Sequence, residues 1–185
     1  MIQMKKIFYL FIILIFANFC GAQTDTVYLY TPNGTPVIAF LGEELPPHLI
    51  EYYTNYYVNE WPDAELLAPA SGLYNCHCYA WNMVEGGIEC WLGLETEVSK
   101  YWEDSSYVET IEAYAEKIVY FTCVQTIDDE CFHPPNYALS HSCIVSATDP
   151  NQYESKWGAF PLFRHAPNYD PFYHESDSIV YYRKA

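Results

Sequence analysis

Seven cysteines and six histidines carry most of the nucleophilic and metal-ligating chemistry of this 185-residue chain. Their spacing singles out two short segments. In the first, residues 74–83 read YNCHCYAWNM, with Asn75 directly ahead of Cys76. Asparagine is a preferred N-cap, because its side-chain oxygen accepts a free backbone N–H of the first turn, so Cys76 is expected as the first residue of a helix. A helix N-terminus carries a partial positive charge and lowers the pKa of a thiol placed there, which makes Cys76 the candidate nucleophile. In the second segment, SHSCIV over residues 140–145, strand alternation puts His141, Cys143 and Val145 on one face. If that face packs against the Cys76 helix, the His141 imidazole can take the thiol proton and serve as general base.

A third group would orient that base. A turn over residues 148–151 would bring residues 154–158 opposite His141, which offers Glu154, whereas the polar loop RHAPNYDP over residues 164–171 offers His165. The reading leans to His165 and leaves Glu154 open. Tyr74, His77, Trp81 and Trp157 are candidates for substrate contact, and Tyr74 for a share of an oxyanion hole. In a chain with 10 Phe, 5 Trp and 19 Tyr, core packing competes with that role for every aromatic residue. A rival chemistry uses Cys76, His77, Cys78, His141 and Cys143 as zinc or copper ligands. Adjacent residues seldom reach one metal and exported thiols tend to oxidise, so no metal or other cofactor is expected.

The elements that must position these residues follow an export signal. Lys5 and Lys6 precede an apolar run over residues 7–19 and then Cys20-Gly21-Ala22-Gln23, which reads as a signal peptide over residues 1–22 cleaved after Ala22. The run is too short to span a bilayer, so a secreted or periplasmic protein without membrane insertion is expected. Acylation of Cys20 is the weaker alternative, since Phe19 stands where a small residue is wanted. The remaining residues, 23–185, suit a single domain. Cleavage removes two of eight basic residues and leaves six against 24 acidic ones, a charge that repels nucleic acid and anionic membranes. Six cysteines remain, and a Cys123–Cys131 disulfide would close the base of the polar excursion over residues 124–130.

Residues 26–31 and 35–41 alternate around Pro32-Asn33-Gly34 and predict an N-terminal hairpin. A tyrosine-rich amphipathic helix follows from Pro46-Pro47 up to Pro62, then a loop over residues 66–72 and the Cys76 helix, ended by Gly86-Gly87. A short helix is expected over residues 95–104, with Thr96 as its N-cap. Residues 117–124, 139–147, 152–158 and 178–183 are β-branched or aromatic-rich and predict an antiparallel sheet. Helices first and strands afterwards make the fold class α+β.

The order helix-cysteine, apolar strand, strand-histidine resembles the papain-like cysteine hydrolases of the NlpC type and the cysteine, histidine-dependent amidohydrolase/peptidase (CHAP) domains. The residues that carry the resemblance are NCHCYAW (75–81), KIVYF (117–121) and SHSCIV (140–145). It implies a papain-like fold, Cys76 as nucleophile, His141 as base, and a substrate with peptide-type amide bonds such as a cell-wall peptide. The chain departs from those families at Ala115-Glu116, where Gly-Asp is usual, and at Ser140 and Cys143, where small residues are usual. A non-enzymatic secreted binding module on the same fold is the reading of a different class.

Overall fold

Alternating β-branched and aromatic residues build most of the regular structure. The computed structural model describes residues 25–123 and 137–185. Strands β1 (Thr26–Tyr30) and β2 (Pro36–Phe40) pair antiparallel as the expected hairpin. Gly34 turns it with φ +87°, a conformation that costs a residue without a Cβ little. Helix α1 (Pro47–Glu60) follows, with proline in its first turn, where the missing N–H would have had no partner.

The remaining strands form one seven-stranded sheet. They are β3 (Glu65–Ala68), β4 (Tyr107–Thr110), β5 (Lys117–Cys123), β6 (Tyr137–Val145), β7 (Tyr153–Lys156), β8 (Leu162–His165) and β9 (Ser178–Lys184). Their order is β3-β8-β7-β6-β5-β9-β4, with every neighbouring pair antiparallel. Among the described residues three short α-helices join it: α2 (Cys76–Trp81), α3 (Glu95–Val98) and α4 (Lys100–Glu103). The architecture is α+β, a large antiparallel sheet with few helices.

The two faces of the sheet are covered differently. Helix α2 lies on one, where Trp81, Tyr101, Tyr107, Val119 and Tyr182 form an aromatic core. Ile118, Tyr120, Cys143 and Tyr153 point to the other, under Phe172 and Tyr173. On that second face Trp157 and Phe163 continue the packing toward Tyr57 and Trp61 at the end of α1.

Several elements differ from the sequence-based expectation. Residues 65–68 form a strand rather than a loop, because β3 pairs with β8 at the sheet edge. His165 ends strand β8 and is no part of an open loop. Residues 95–104 split into α3 and α4, and Thr96 lies inside α3, whose preceding residue is Leu94. Gly158, at φ +67°, stops β7 soon after Lys156. The expected signal peptide and Cys131 lie outside the described residues, so both stay expectations. Among the described residues no helix is long and apolar enough to cross a membrane.

Candidate active site

Helix α2 begins where the sequence places it. Asn75 is extended, and its Oδ1 accepts the Cys78 N–H at 3.0 Å and the Leu92 N–H at 3.3 Å. Its Nδ2 donates to the Leu92 carbonyl at 3.0 Å, so one buried side chain caps the helix and ties it to residues 90–92. Upstream, Glu44 orders the approach: its carboxylate accepts the Gly72 N–H at 2.8 Å and the Ser71 hydroxyl at 3.0 Å. The chain passes so close there that a Cβ on Gly72 would run into the Glu43 carbonyl.

Cys76 is a buried, reduced thiol at the mouth of this helix. The β6–β7 ladder lasts only for Ile144↔Glu154 and Val145↔Tyr153, so beyond it the two strands are no longer paired. The Ser142 N–H, freed from that ladder, faces the Cys76 sulfur, as do the N–H groups of His77 and of Cys76 itself. Burial raises the thiol pKa and outweighs these three donors, leaving it at about 11. The resting group is therefore a thiol.

Lys156, at the end of β7, is the charge nearest in kind to an activating group. Its ammonium is buried and donates to Ser71 O at 3.1 Å, to Gly158 O at 2.9 Å and to Phe160 O, and lies 4.9 Å from the centre of the Tyr74 ring. Burial lowers its pKa to about 7, while the carboxylates of Glu44 and Glu89, and Cys76 in its thiolate form, act to raise it. Three carbonyls accepting three protons argue for the charged form near neutrality. Lys156 thus clamps the loop before Cys76 to the β7–β8 turn. The sequence reading missed it; the available signal was a lysine flanked by Ser155 and Trp157 in a strand of a chain poor in basic residues.

His141 faces the other way from the expected one. Ser142, its neighbour, points at α2, accepting from Trp81 Nε1 at 3.1 Å and bonding His77 Nδ1 at 2.9 Å. Alternation then turns His141 and Cys143 to the opposite face. There the His141 ring stacks on Phe172, 3.9 Å between centroids at 11°, and near Tyr120. It is fully buried, and among the described residues neither ring nitrogen has a hydrogen-bond partner. Burial, with His77 and His165 disfavouring a further positive charge, keeps it neutral. No hydrogen bond joins His141 to Cys76.

Neither candidate for the third group bonds His141. His165 Nε2 meets Ser155 Oγ at 2.9 Å, and its Nδ1 meets Ala166 O at 2.9 Å with Asp170 Oδ2 at 3.9 Å. Asp170 also accepts the N–H groups of Phe172 and Tyr173 and the Tyr120 hydroxyl, so His165 and Asp170 pin residues 166–173 over His141. Glu154 pairs across from Ile144, not His141, and is held on the α2 face by Tyr79, Ser146 and Arg164. By that register Glu154 stands three positions away from the histidine, and on the opposite face.

Of the residues offered for substrate contact, Trp81 and Trp157 are wholly buried and serve the two cores, so neither lines a groove. Tyr74 lies under the Lys156 ammonium, and His77 is bonded to Ser142. Both lie within two residues of Cys76 in sequence and are buried. Cys76, His77, Cys78, His141 and Cys143 do not gather: among the described residues no group of three or more such side chains is arranged to hold a metal ion. Compared with protein-family models, with curated proteins and with solved structures, the chain matches none.

Proposed function

We propose that this protein is an exported cysteine-dependent hydrolase of papain-like architecture, cutting peptide-type amide bonds, cell-wall peptides among them. The observation that carries the reading is His141: a neutral imidazole, buried, with both nitrogens unsatisfied, on the strand whose next amide faces the Cys76 sulfur. Burying such groups without partners costs about 1–3 kcal/mol each, and a base kept free of other bonds is what proton abstraction from a thiol needs. In the reaction the Cys76 sulfur attacks the carbonyl carbon as its proton passes to His141. The N–H groups that face the sulfur are then available to the developing oxyanion. His141 returns the proton to the departing amine, leaving a thioester, then takes a proton from the attacking water and passes it to the Cys76 sulfur as the thioester C–S bond breaks and the acid is released. His141 lies on the sheet face opposite α2, so transfer requires its imidazole to leave the stack on Phe172 and turn toward the Cys76 sulfur when substrate binds. An acyltransferase would share every step up to the thioester.

One observation favours a binding module instead. His48, Glu51, Tyr52, Asn55, Tyr56 and Asn59 form a continuous exposed face along α1 that includes no residue of α2. The experiment that separates the two is turnover of a panel of peptide amides and cell-wall peptides by the wild type, Cys76→Ala and His141→Ala. Hydrolysis lost in both variants supports the hydrolase. Binding of the panel without turnover, unaffected by either change, supports the module.

A further inference from the structure

Among the described residues four cysteines are reduced, and one pair of their sulfurs stands in contact. Cys78, on the inner side of α2, and Cys90, in the segment after Gly86-Gly87, are both fully buried, with their sulfurs 2.6 Å apart. Two non-bonded sulfur atoms do not rest that close, and a bond of about 2.05 Å needs only a small further approach. The backbone is already shaped for it. The Asn82 side chain donates to Ile88 O at 2.7 Å and the Gly87 N–H reaches Asn82 O at 3.0 Å, so the turn between the cysteines is closed without the bridge. Asn75 holds Leu92, two residues beyond Cys90, against the start of α2. The other two thiols are engaged elsewhere: Cys76 faces the amide of Ser142, and Cys143 lies in the core of the opposite face.

We propose that Cys78 and Cys90 form a disulfide that fixes α2 to the segment over residues 88–92, leaving Cys76 and Cys143 as thiols. The oxidant is a disulfide donor of the glutathione or dithiol-oxidoreductase class. The Cys78 thiolate attacks one donor sulfur and expels a thiol. The Cys90 thiolate then attacks the Cys78 sulfur of the mixed disulfide and expels the second. Two protein thiols lose two electrons and two protons, and the donor is reduced to two thiols. Because both sulfurs are buried, the exchange takes place on the folding chain. The pairing rests on α2 and its following loop and is independent of the hydrolase reading.

The test is refolding of the reduced full chain in a glutathione/glutathione-disulfide buffer, quenching with N-ethylmaleimide in acid, and peptide mapping without reduction. The expected product is a Cys78–Cys90 cross-linked peptide pair lacking two hydrogens, with Cys76 and Cys143 alkylated. Cys76→Ala resolves the pairing within the Cys76–Cys78 peptide and should retain the cross-link in full. Cys78→Ala, Cys90→Ala and the double variant should each lower the melting temperature of the oxidised protein by several degrees, with the double no worse than the worse single. Alkylation of both Cys78 and Cys90, a Cys76–Cys78 link, or additive losses in the double variant would overturn the proposal.

Discussion

Replacing Asn75 by alanine removes the side chain that both caps α2 and holds Leu92. Three bonds go: Oδ1 from Cys78 N–H at 3.0 Å, Oδ1 from Leu92 N–H at 3.3 Å, and Nδ2 to Leu92 O at 3.0 Å. The lost cap contributes about 1 kcal/mol. Leu92 is fully buried, so its N–H and carbonyl are both left without the Asn75 side chain, at a further cost of about 1 kcal/mol each. The sum is about 3 kcal/mol, or roughly 6–12 °C in melting temperature for a chain of this size. Asn75→Ser separates the contributions. Serine can still accept the Cys78 N–H but cannot span to Leu92, so a loss of about 2 kcal/mol is expected. Urea denaturation followed by tryptophan fluorescence measures both variants. An Asn75→Ala loss under about 0.5 kcal/mol, or a serine variant no better than the alanine one, would refute the account of how Cys76 is positioned.

Other outcomes follow from the same geometry. Burial lowers the His77 pKa to about 4, so the unfolded chain binds a proton below its own value near 6.5 while the folded chain does not. Stability from this group is present above pH 6.5 and falls by about 3 kcal/mol on acidification to pH 4, and His77→Asn should flatten that limb of a melting-temperature profile. Burial acts to raise the Glu85 pKa, but Lys117, Lys184 and the Tyr107 hydroxyl hold it down at about 2. Its contribution is present above the unfolded value near 4.3 and lost between about pH 4 and pH 2. Glu85→Gln, which leaves the buried Lys117 ammonium without its carboxylate, should cost about 2 kcal/mol near neutrality, after allowance for the exposed side of Glu85. Lys156→Met leaves three carbonyls without their donor and should destabilise by about 2–4 kcal/mol, measured in urea, and slow any turnover by loosening the loop before Cys76.

What the sequence made legible was what depends on neighbours in the chain. Asn75 before Cys76 fixed the start of α2 because a cap is a contact between residues a few positions apart. The hairpin and strands β5, β6, β7 and β9 were readable for the same reason, their period being local. The direction in which β6 faces was not. Alternation separates His141 from Ser142 but does not say which of the two sides receives the helix, and α2 took the serine side through His77 and Trp81. The short β6–β7 ladder, which frees the Ser142 amide toward Cys76 and keeps Glu154 away from His141, is a tertiary event with no signal in the residues. Strands β3 and β8 were missed because their four residues each are held by pairing, β3 at the sheet edge and β8 between β3 and β7, rather than by a pattern of their own. Lys156 and Asp170 were passed over because a charge in an apolar setting shows its partners only after folding.

The measurement that bears most directly on the central claim is covalent trapping at Cys76. The wild type and His141→Ala are mixed with a peptidyl thioester or other activated peptide acyl donor, quenched in acid, and examined by intact mass and peptide mapping. The account predicts a single acyl group on Cys76 in the wild type, formed at least about 100-fold more slowly in His141→Ala, the usual span of general-base assistance. Acylation elsewhere, no acylation at all, or an equal rate in the two proteins would contradict it.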